Sequence, residues 1–173
     1  MNCTDADIII IRGAPGSGKT QVAKRLGAFF PKGARVEVDA LRAMVISVAW
    51  TDQEEHISLL SLAIDVVLDF LKLNYKPVIL VDTFSGDKLT RFLNELHTRN
   101  SKLVVRSFAL VTAPDVLKSR IESRVGNQFK DIEICQKLNA DVLKFLQHFE
   151  QMVDTTQLSP EDVCQIILNA EFD

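Results

Sequence analysis

The chain has 173 residues, 47% of them hydrophobic, enough to bury one sizeable core and too few for two ordinary domains, so a single domain over residues 1–173 is expected. A net charge of −3 and a pI near 5.6 give no global attraction for polyphosphate, so a nucleic-acid partner is not favoured and would need a local basic patch. Cys3, Cys135 and Cys164 are widely spaced, with no CxxC pair and no histidine at metal spacing, which argues against a disulfide scaffold or a zinc site and for reduced, mostly buried thiols.

The first seven residues carry two acids and no basic segment ahead of an apolar run, so no export signal is visible and a cytoplasmic protein is expected. Ile8 to Arg12 then reads as a short buried strand. It leads directly into Gly13-Ala14-Pro15-Gly16-Ser17-Gly18-Lys19-Thr20, which fits GxxxxGK[ST]. A helical pattern follows from Lys19 to Phe30, with Val22, Ala23, Leu26, Phe29 and Phe30 at helical spacing. Strand, glycine-rich turn and helix in that order make a phosphate-binding loop. Its backbone N–H groups curl inward, and the positive end of the helix dipole points to the same spot. Lys19 places a point charge on the β- and γ-phosphates, and the Thr20 hydroxyl can ligate Mg²⁺. The expectation is a nucleoside triphosphate bound at residues 13–20.

Pro31-Lys32-Gly33 ends that helix, and Arg35-Val36-Glu37-Val38-Asp39 predicts a second strand. Helical patterns follow over Leu41 to Val48 and Gln53 to Leu73, separated near Trp50-Thr51-Asp52. The most membrane-like stretch, Ile57 to Leu73, holds Asp65 and Asp69, which together would cost roughly 5–7 kcal/mol at bilayer depth, so no membrane partner is expected. Pro77 to Asp82 predicts a third strand, Asp87 to Arg99 a helix and Leu103 to Val111 a fourth strand. Thr112-Ala113-Pro114-Asp115 opens a helix running to Val125, and Gly126-Asn127 breaks the pattern. Glu133 to Gln151 reads as helix, Met152 to Asp154 as a short last strand, and Ser159-Pro160-Glu161-Asp162 as the cap of a final helix.

Strand and helix alternating in this rhythm predict an α/β fold, a parallel sheet with helices on both faces and the ligand at the carboxyl ends of the strands. Gly13, Asp39 and Asp82 all fall at that edge. A carboxylate at Asp39 can accept the proton of an acceptor hydroxyl, and Arg42, one helical turn on, can hold an acceptor or phosphate oxygen. Asp82 ends a Val-Ile-Leu-Val run, a pattern that sets a carboxylate near Mg²⁺ or the acceptor, with Thr83 beside it. Arg120 and Arg124, four apart and on one predicted helix, suit a lid over about 120–132 that closes on the phosphates. His56, His97 and His148 share no spacing that suggests a metal or a triad. Trp50 belongs either over the acceptor pocket or in the core.

Taken together, Gly-Ala-Pro-Gly-Ser-Gly-Lys-Thr at 13–20, Val-Asp-Ala-Leu-Arg at 38–42, Val-Ile-Leu-Val-Asp-Thr at 78–83, Arg-Ile-Glu-Ser-Arg at 120–124 and the ending at 153–163 resemble the small P-loop kinases. The resemblance is to the group of polynucleotide kinases, zeta toxins and chloramphenicol phosphotransferase, and it runs almost end to end. It implies the three-layer P-loop nucleoside triphosphate hydrolase fold with a five-stranded parallel sheet in the order 2-3-1-4-5. It also implies ATP and Mg²⁺, γ-phosphate transfer to a hydroxyl, Asp39 as acceptor-orienting base, Arg124 as phosphate clamp, and a loop near the adenine within 153–163. No third arginine follows Arg124, so the lid is poor in charge. The expected activity is an ATP-dependent kinase of a small-molecule or nucleotide-like acceptor. A 5′-hydroxyl polynucleotide kinase and a non-catalytic ATP- or GTP-binding module are the alternatives, GTP being less favoured because the chain has no NKxD or DxxG motif.

Overall fold

A computed structural model of the chain describes residues 5–126 and 129–171, so Cys3 and Asn127 lie outside the described residues. Its elements are β1 (Ile8–Gly13), α1 (Lys19–Gly27), β2 (Ala34–Glu37), α2 (Val38–Arg42), α3 (Gln53–Lys72) and β3 (Val78–Asp82). They continue with α4 (Lys88–Arg99), β4 (Val105–Val111), α5 (Pro114–Glu122), α6 (Ile132–Lys144), β5 (Glu150–Asp154) and α7 (Pro160–Leu168). The five strands are parallel and ordered β2-β3-β1-β4-β5, the order the resemblance implies.

Strand alternation sends the isoleucines of β1 into two cores. Ile9 and Ile11 pack with Ile79, Val81, Phe108 and Leu110 against Val22 and Leu26 of α1 and Val163 and Ile167 of α7. Ile8 and Ile10 pack with Val78 and Leu80 against Leu60, Ile64 and Val67 of α3 and Leu89 and Phe92 of α4. Both faces of the sheet are therefore covered, which is why the runs Ile8 to Ile11 and Val78 to Val81 in its central strands are apolar without interruption. Arg12 pairs with Asp82 in register and Gly13 with Leu110, so the carboxyl ends of the central strands share one edge. Among the described residues no helix is long and apolar enough to cross a membrane.

Several boundaries differ from the sequence expectation: α1 ends at Gly27 instead of Phe30 and β4 starts at Val105 instead of Leu103, and four others bear on the site. Asp39 is not the end of a strand; β2 stops at Glu37 and Asp39 stands in the first turn of α2. The Val36 and Val38 alternation imitates a longer strand, but Ala40, Leu41 and Arg42 are strong helix formers, and a carboxylate suits a helix start. The helix expected over Leu41 to Val48 ends at Arg42, because the following Val45-Ile46-Ser47-Val48 is rich in β-branched side chains. At α5 the helix stops at Glu122, leaving Arg124 beyond it, and Gly126 takes a left-handed φ of 69° nearby. Its N-cap is Ala113 with Pro114 in the first turn, while the Thr112 hydroxyl bonds Thr155 instead of capping.

The fourth difference has the clearest cause. The helix expected to reach Gln151 ends at Lys144, and the last strand begins at Glu150. Arg12, fully buried, donates to the carbonyls of Val142 (3.3 Å) and Phe145 (2.9 Å) at the end of α6 and forms a two-point pair with Glu150, both contacts 2.7 Å. A guanidinium that takes the last carbonyls of a helix terminates it. The final helix is capped as expected, Ser159 and Asp162 forming a reciprocal capping box.

Candidate functional site

The glycine-rich turn is shaped by what its backbone must approach. A Cβ on Gly13 would come within 2.5 Å of the Leu110 carbonyl and 2.6 Å of Ser17 Oγ, so only glycine lets β1 lie this close to the loop. Gly16, at φ 96°, would likewise run into Leu117 and Ile121 of α5. The loop closes through Ser17 N–H on the Ala14 carbonyl, 3.1 Å, and α1 starts at Lys19. Among the described residues no side chain caps α1, and its first turn holds no acid. Ser17 Oγ is buried without a hydrogen-bond partner among the described residues. An uncapped helix start beside an unpartnered buried hydroxyl fits a polyphosphate, which would accept from both.

Lys19 Nζ lies over this loop, donating to the Ala14 carbonyl at 3.1 Å. Burial pushes its pKa down, the charges of Asp82 and Asp39 pull it back up, and Arg124 adds to the lowering. Those four side chains therefore share one field around the lysine. Asp39 has its pKa raised by burial first and by Asp82 second, with Lys19, Arg42 and His56 opposing, although more than a third of its surface is open to solvent. Water therefore partly screens the charges that act on Asp39.

Asp82 is deeply buried, and burial alone would raise its pKa. The hydrogen bond and charge of His56, the Phe84 N–H and Lys19 outweigh burial and hold it below the ordinary carboxylate range. His56 Nε2 stands 3.2 Å from Asp82 Oδ1, and Phe84 N–H donates to Oδ2 at 2.8 Å. Phe84 adopts a left-handed φ of 46°, rare for an aromatic residue, and is fixed there by that bond, by Arg12 Nη1 on its carbonyl (3.0 Å) and by its ring against Phe92. Behind His56, Lys88 Nζ contacts His56 Nδ1 (3.3 Å), Gln53 Oε1 (2.6 Å) and Ser85 Oγ (3.1 Å). An ammonium can only donate, so Nδ1 accepts and Nε2–H donates to Asp82. His56→Ala is expected to lower stability by about 1.5–3 kcal/mol, since it removes a hydrogen bond to a buried charge. Urea denaturation checks this, and a loss below half that range would mean that Asp82 finds another partner.

The other expected side chains are distributed unevenly. Thr20 Oγ1 is 3.4 Å from Glu37 Oε2, which sets Glu37, unremarked in the sequence, next to the hydroxyl expected to meet Mg²⁺. Thr83 is half-buried beside Asp82. Arg42 is turned onto the chain that follows it: Nη2 donates to the Trp50 carbonyl (3.0 Å), the guanidinium lies 4.7 Å from the Trp50 ring centroid, and Nε is buried without a partner among the described residues. Trp50 is half-exposed and so is not core. Arg120 and Arg124 do not share a helix face. Arg120 donates to the carbonyl and hydroxyl of Thr155 (2.6 and 3.1 Å), whereas Arg124 donates to the Phe129 carbonyl (2.6 Å) and acts on Lys19. The Thr155 hydroxyl also contacts the Ser17 carbonyl at 3.2 Å, tying the loop to the chain after β5.

A cavity of about 160 Å³ opens between Gly18, Gln21, Arg120, Thr155 and Pro160, directly beside the loop. A larger one, about 570 Å³, lies away from this edge near Asp7, Lys76 and Leu103. Its cations are all matched, Lys72 with Asp69, Lys76 with Asp7, and Arg99 with Asp65 and Glu95, so it offers a ligand no free charge. His97 and His148 are not part of either constellation, and among the described residues no three His, Cys, Asp or Glu side chains gather to hold a metal. Mg²⁺ needs no such cluster, since it takes one or two protein oxygens and fills its shell with water and phosphate; Thr20, with Glu37 in reach, offers oxygens of that kind. Cys135 and Cys164 are buried free thiols, each with its pKa raised by burial.

A family model described as an AAA domain matches residues 8–151. Comparison with curated proteins gives no match. Among solved structures, the tunicamycin resistance protein of Deinococcus radiodurans is 25% identical with a TM-score of 0.70, over 94% of this chain and 93% of that one. A sugar kinase from a Janibacter species is 18% identical with a TM-score of 0.70, over 92% and 91%. A gluconokinase from Sinorhizobium meliloti is 16% identical with a TM-score of 0.67, over 97% and 91%. The last two likenesses establish the fold alone. The family model begins with β1 and extends into β5, taking in the phosphate loop and every strand before it, and the chain therefore belongs to the AAA-domain family.

Proposed function

We propose that the protein is an ATP-dependent kinase that transfers the γ-phosphate to a hydroxyl of a small-molecule acceptor. The observation that carries this reading is the convergence of Asp39, Asp82 and Arg124 on the Lys19 ammonium beside an uncapped phosphate loop. A binding module is served by the loop and its cations; it has no use for a partly open carboxylate of raised pKa at the same point.

In this reading the loop N–H groups and Lys19 hold the β- and γ-phosphates, and the nucleoside lies in the cavity bordered by Arg120, Thr155 and Pro160. Thr20 and Asp82, with Glu37 in reach, would hold Mg²⁺, which when bound neutralises charge on the phosphate oxygens. Asp39 takes the proton from the acceptor hydroxyl as its oxygen bonds to the γ-phosphorus. The bond from that phosphorus to the bridging oxygen breaks, ADP leaves with the electron pair, and Lys19 and Arg124 balance the charge in transit. Arg42, held on the Trp50 carbonyl, shapes the acceptor side through that segment.

The test is a labelled γ-phosphate transfer screen over nucleosides, sugars, amino-alcohols and oligonucleotides. Lys19→Met is expected to lower transfer by about 10²–10³-fold, the usual loss when one preorganised donor to a reacting oxyanion is removed. ATP bound tightly with no transfer to any hydroxyl would favour the binding module and end the kinase reading.

A further inference from the structure

Lys88 belongs to no motif and has no place in the transfer itself. We propose that it is a positioning residue, holding Asp82 through His56 in the orientation that serves the Mg²⁺ of the bound nucleotide, an inference that rests on the metal-side reading of Asp82 above. Lys88 is buried, and its ammonium donates to Gln53 Oε1 (2.6 Å), Ser85 Oγ (3.1 Å) and His56 Nδ1 (3.3 Å). Those are three neutral acceptors for three N–H groups. Burial pushes the Lys88 pKa down by more than Asp82, Asp141 and Asp87 pull it up, and Arg42 adds to the lowering, so folding disfavours this charge. A methionine would fill the place without that cost. What the ammonium supplies and an apolar side chain cannot is a donor for His56 Nδ1.

That contact decides how the imidazole stands. The ring, carried by α3, is held at both nitrogens, by Lys88 of α4 on one side and by Asp82 Oδ1 at the end of β3, 3.2 Å away, on the other. Lys88 is tied to the turn after Asp82 a second time through Ser85, and Gly86 N–H in the same turn donates to Asp141 of α6 at 2.5 Å. Asp82 uses one lone pair of Oδ1 on His56 and one of Oδ2 on the Phe84 N–H. A carboxylate has about four such sites, so one on each oxygen stays available, and the Lys19 charge acts on the group. Partners of this kind orient a metal-side carboxylate without touching the metal. With the Lys88 donor removed, the ring can turn about its own axis, leaving the Phe84 N–H to hold Asp82.

The test measures Mg²⁺ binding by calorimetry on the protein saturated with a non-hydrolysable ATP analogue, together with the His56 Nε2–H signal in proton NMR, assigned by its loss in His56→Gln. The wild type is expected to show a sharp Nε2–H signal. Lys88→Met should broaden or remove that signal, weaken Mg²⁺ by about 10–100-fold, the usual loss when a group behind a metal ligand is removed, and leave the affinity for metal-free analogue unchanged. In His56→Gln an amide presents its N–H to Asp82 without help from Lys88, so adding Lys88→Met there should change Mg²⁺ affinity little. Unchanged Mg²⁺ affinity or an unchanged Nε2–H signal in Lys88→Met overturns the proposal, as do losses that simply add in the double variant. So does a wild-type ring that carries its proton on Nδ1, a result that needs no variant at position 88. The readings beneath the proposal fail separately: Asp82→Asn with undiminished Mg²⁺ affinity removes Asp82 from the metal and the proposal with it, whereas a protein that passes phosphate to no hydroxyl in the transfer screen loses the kinase reading alone.

Discussion

Asp39→Asn is expected to lower phosphate transfer by about 10²–10⁴-fold, the range for loss of a positioned general base, while ATP affinity changes little. The sign of the pH dependence follows from its environment. Burial and the neighbouring Asp82 raise the Asp39 pKa, so the ionised form that accepts a proton is lost as pH falls through a value above that of an ordinary aspartate. The acid limb of kcat/KM in the wild type should therefore lie higher than an isolated aspartate would place it, and because Asp39 and Asp82 interact, it belongs to the pair. A group whose folded pKa is raised is penalised in its charged form by folding, so the asparagine variant should melt at the same temperature or slightly above. The gain is small because water screens a partly open carboxylate. Steady-state rates across pH with thermal melts decide the matter: a lost rate with a lowered melting temperature would point to a structural part for Asp39, and an unchanged acid limb in the variant would remove it from the reaction.

Arg12→Met is expected to cost about 3–5 kcal/mol, the penalty for leaving one member of a buried ion pair without its partner. Arg12 and Glu150 are both fully buried, and the guanidinium also serves the carbonyls of Phe84, Val142 and Phe145. For a chain of this length that is a fall in melting temperature of roughly 6–20 °C. The double variant Arg12→Met with Glu150→Gln should recover part of the loss, because the residual buried charge disappears while the amide can still serve Ser107 and the Gln147 N–H. Urea unfolding of the four members of this cycle gives the coupling directly; additive losses would show that the two side chains do not depend on each other.

What the sequence displayed and what it concealed divide along a physical line. The loop at 13–20 was legible because its function is carried by local backbone geometry, with the glycines, Lys19 and the strand before them all within one short stretch. The alternation of elements was legible for the same reason. Helix ends set by distant partners were not: nothing near Lys144 announces that Arg12 will take the carbonyls there, and α5 gives no sign of stopping before Arg124. His56 and Lys88 were hidden because each is one polar residue on an otherwise ordinary helix, and only folding brings them behind Asp82. Glu37 carried a faint signal, two residues before Asp39 and so on the same predicted strand face, which a closer reading of the alternation would have placed near Thr20.

The Arg12–Glu150 pair also predicts an order of events as the chain folds. Arg12 sits on the central strand, but its counter-charge arrives 138 residues later. Until β5 is available, closing the sheet over β1 would bury an uncompensated guanidinium, so β1, β3 and β4 are expected to associate only loosely before it docks. Folding that waits on one very long-range closure is expected to be slower than the many local helices suggest, and to shape the Asp82–Phe84 turn, held from behind by the same guanidinium, in the same late step.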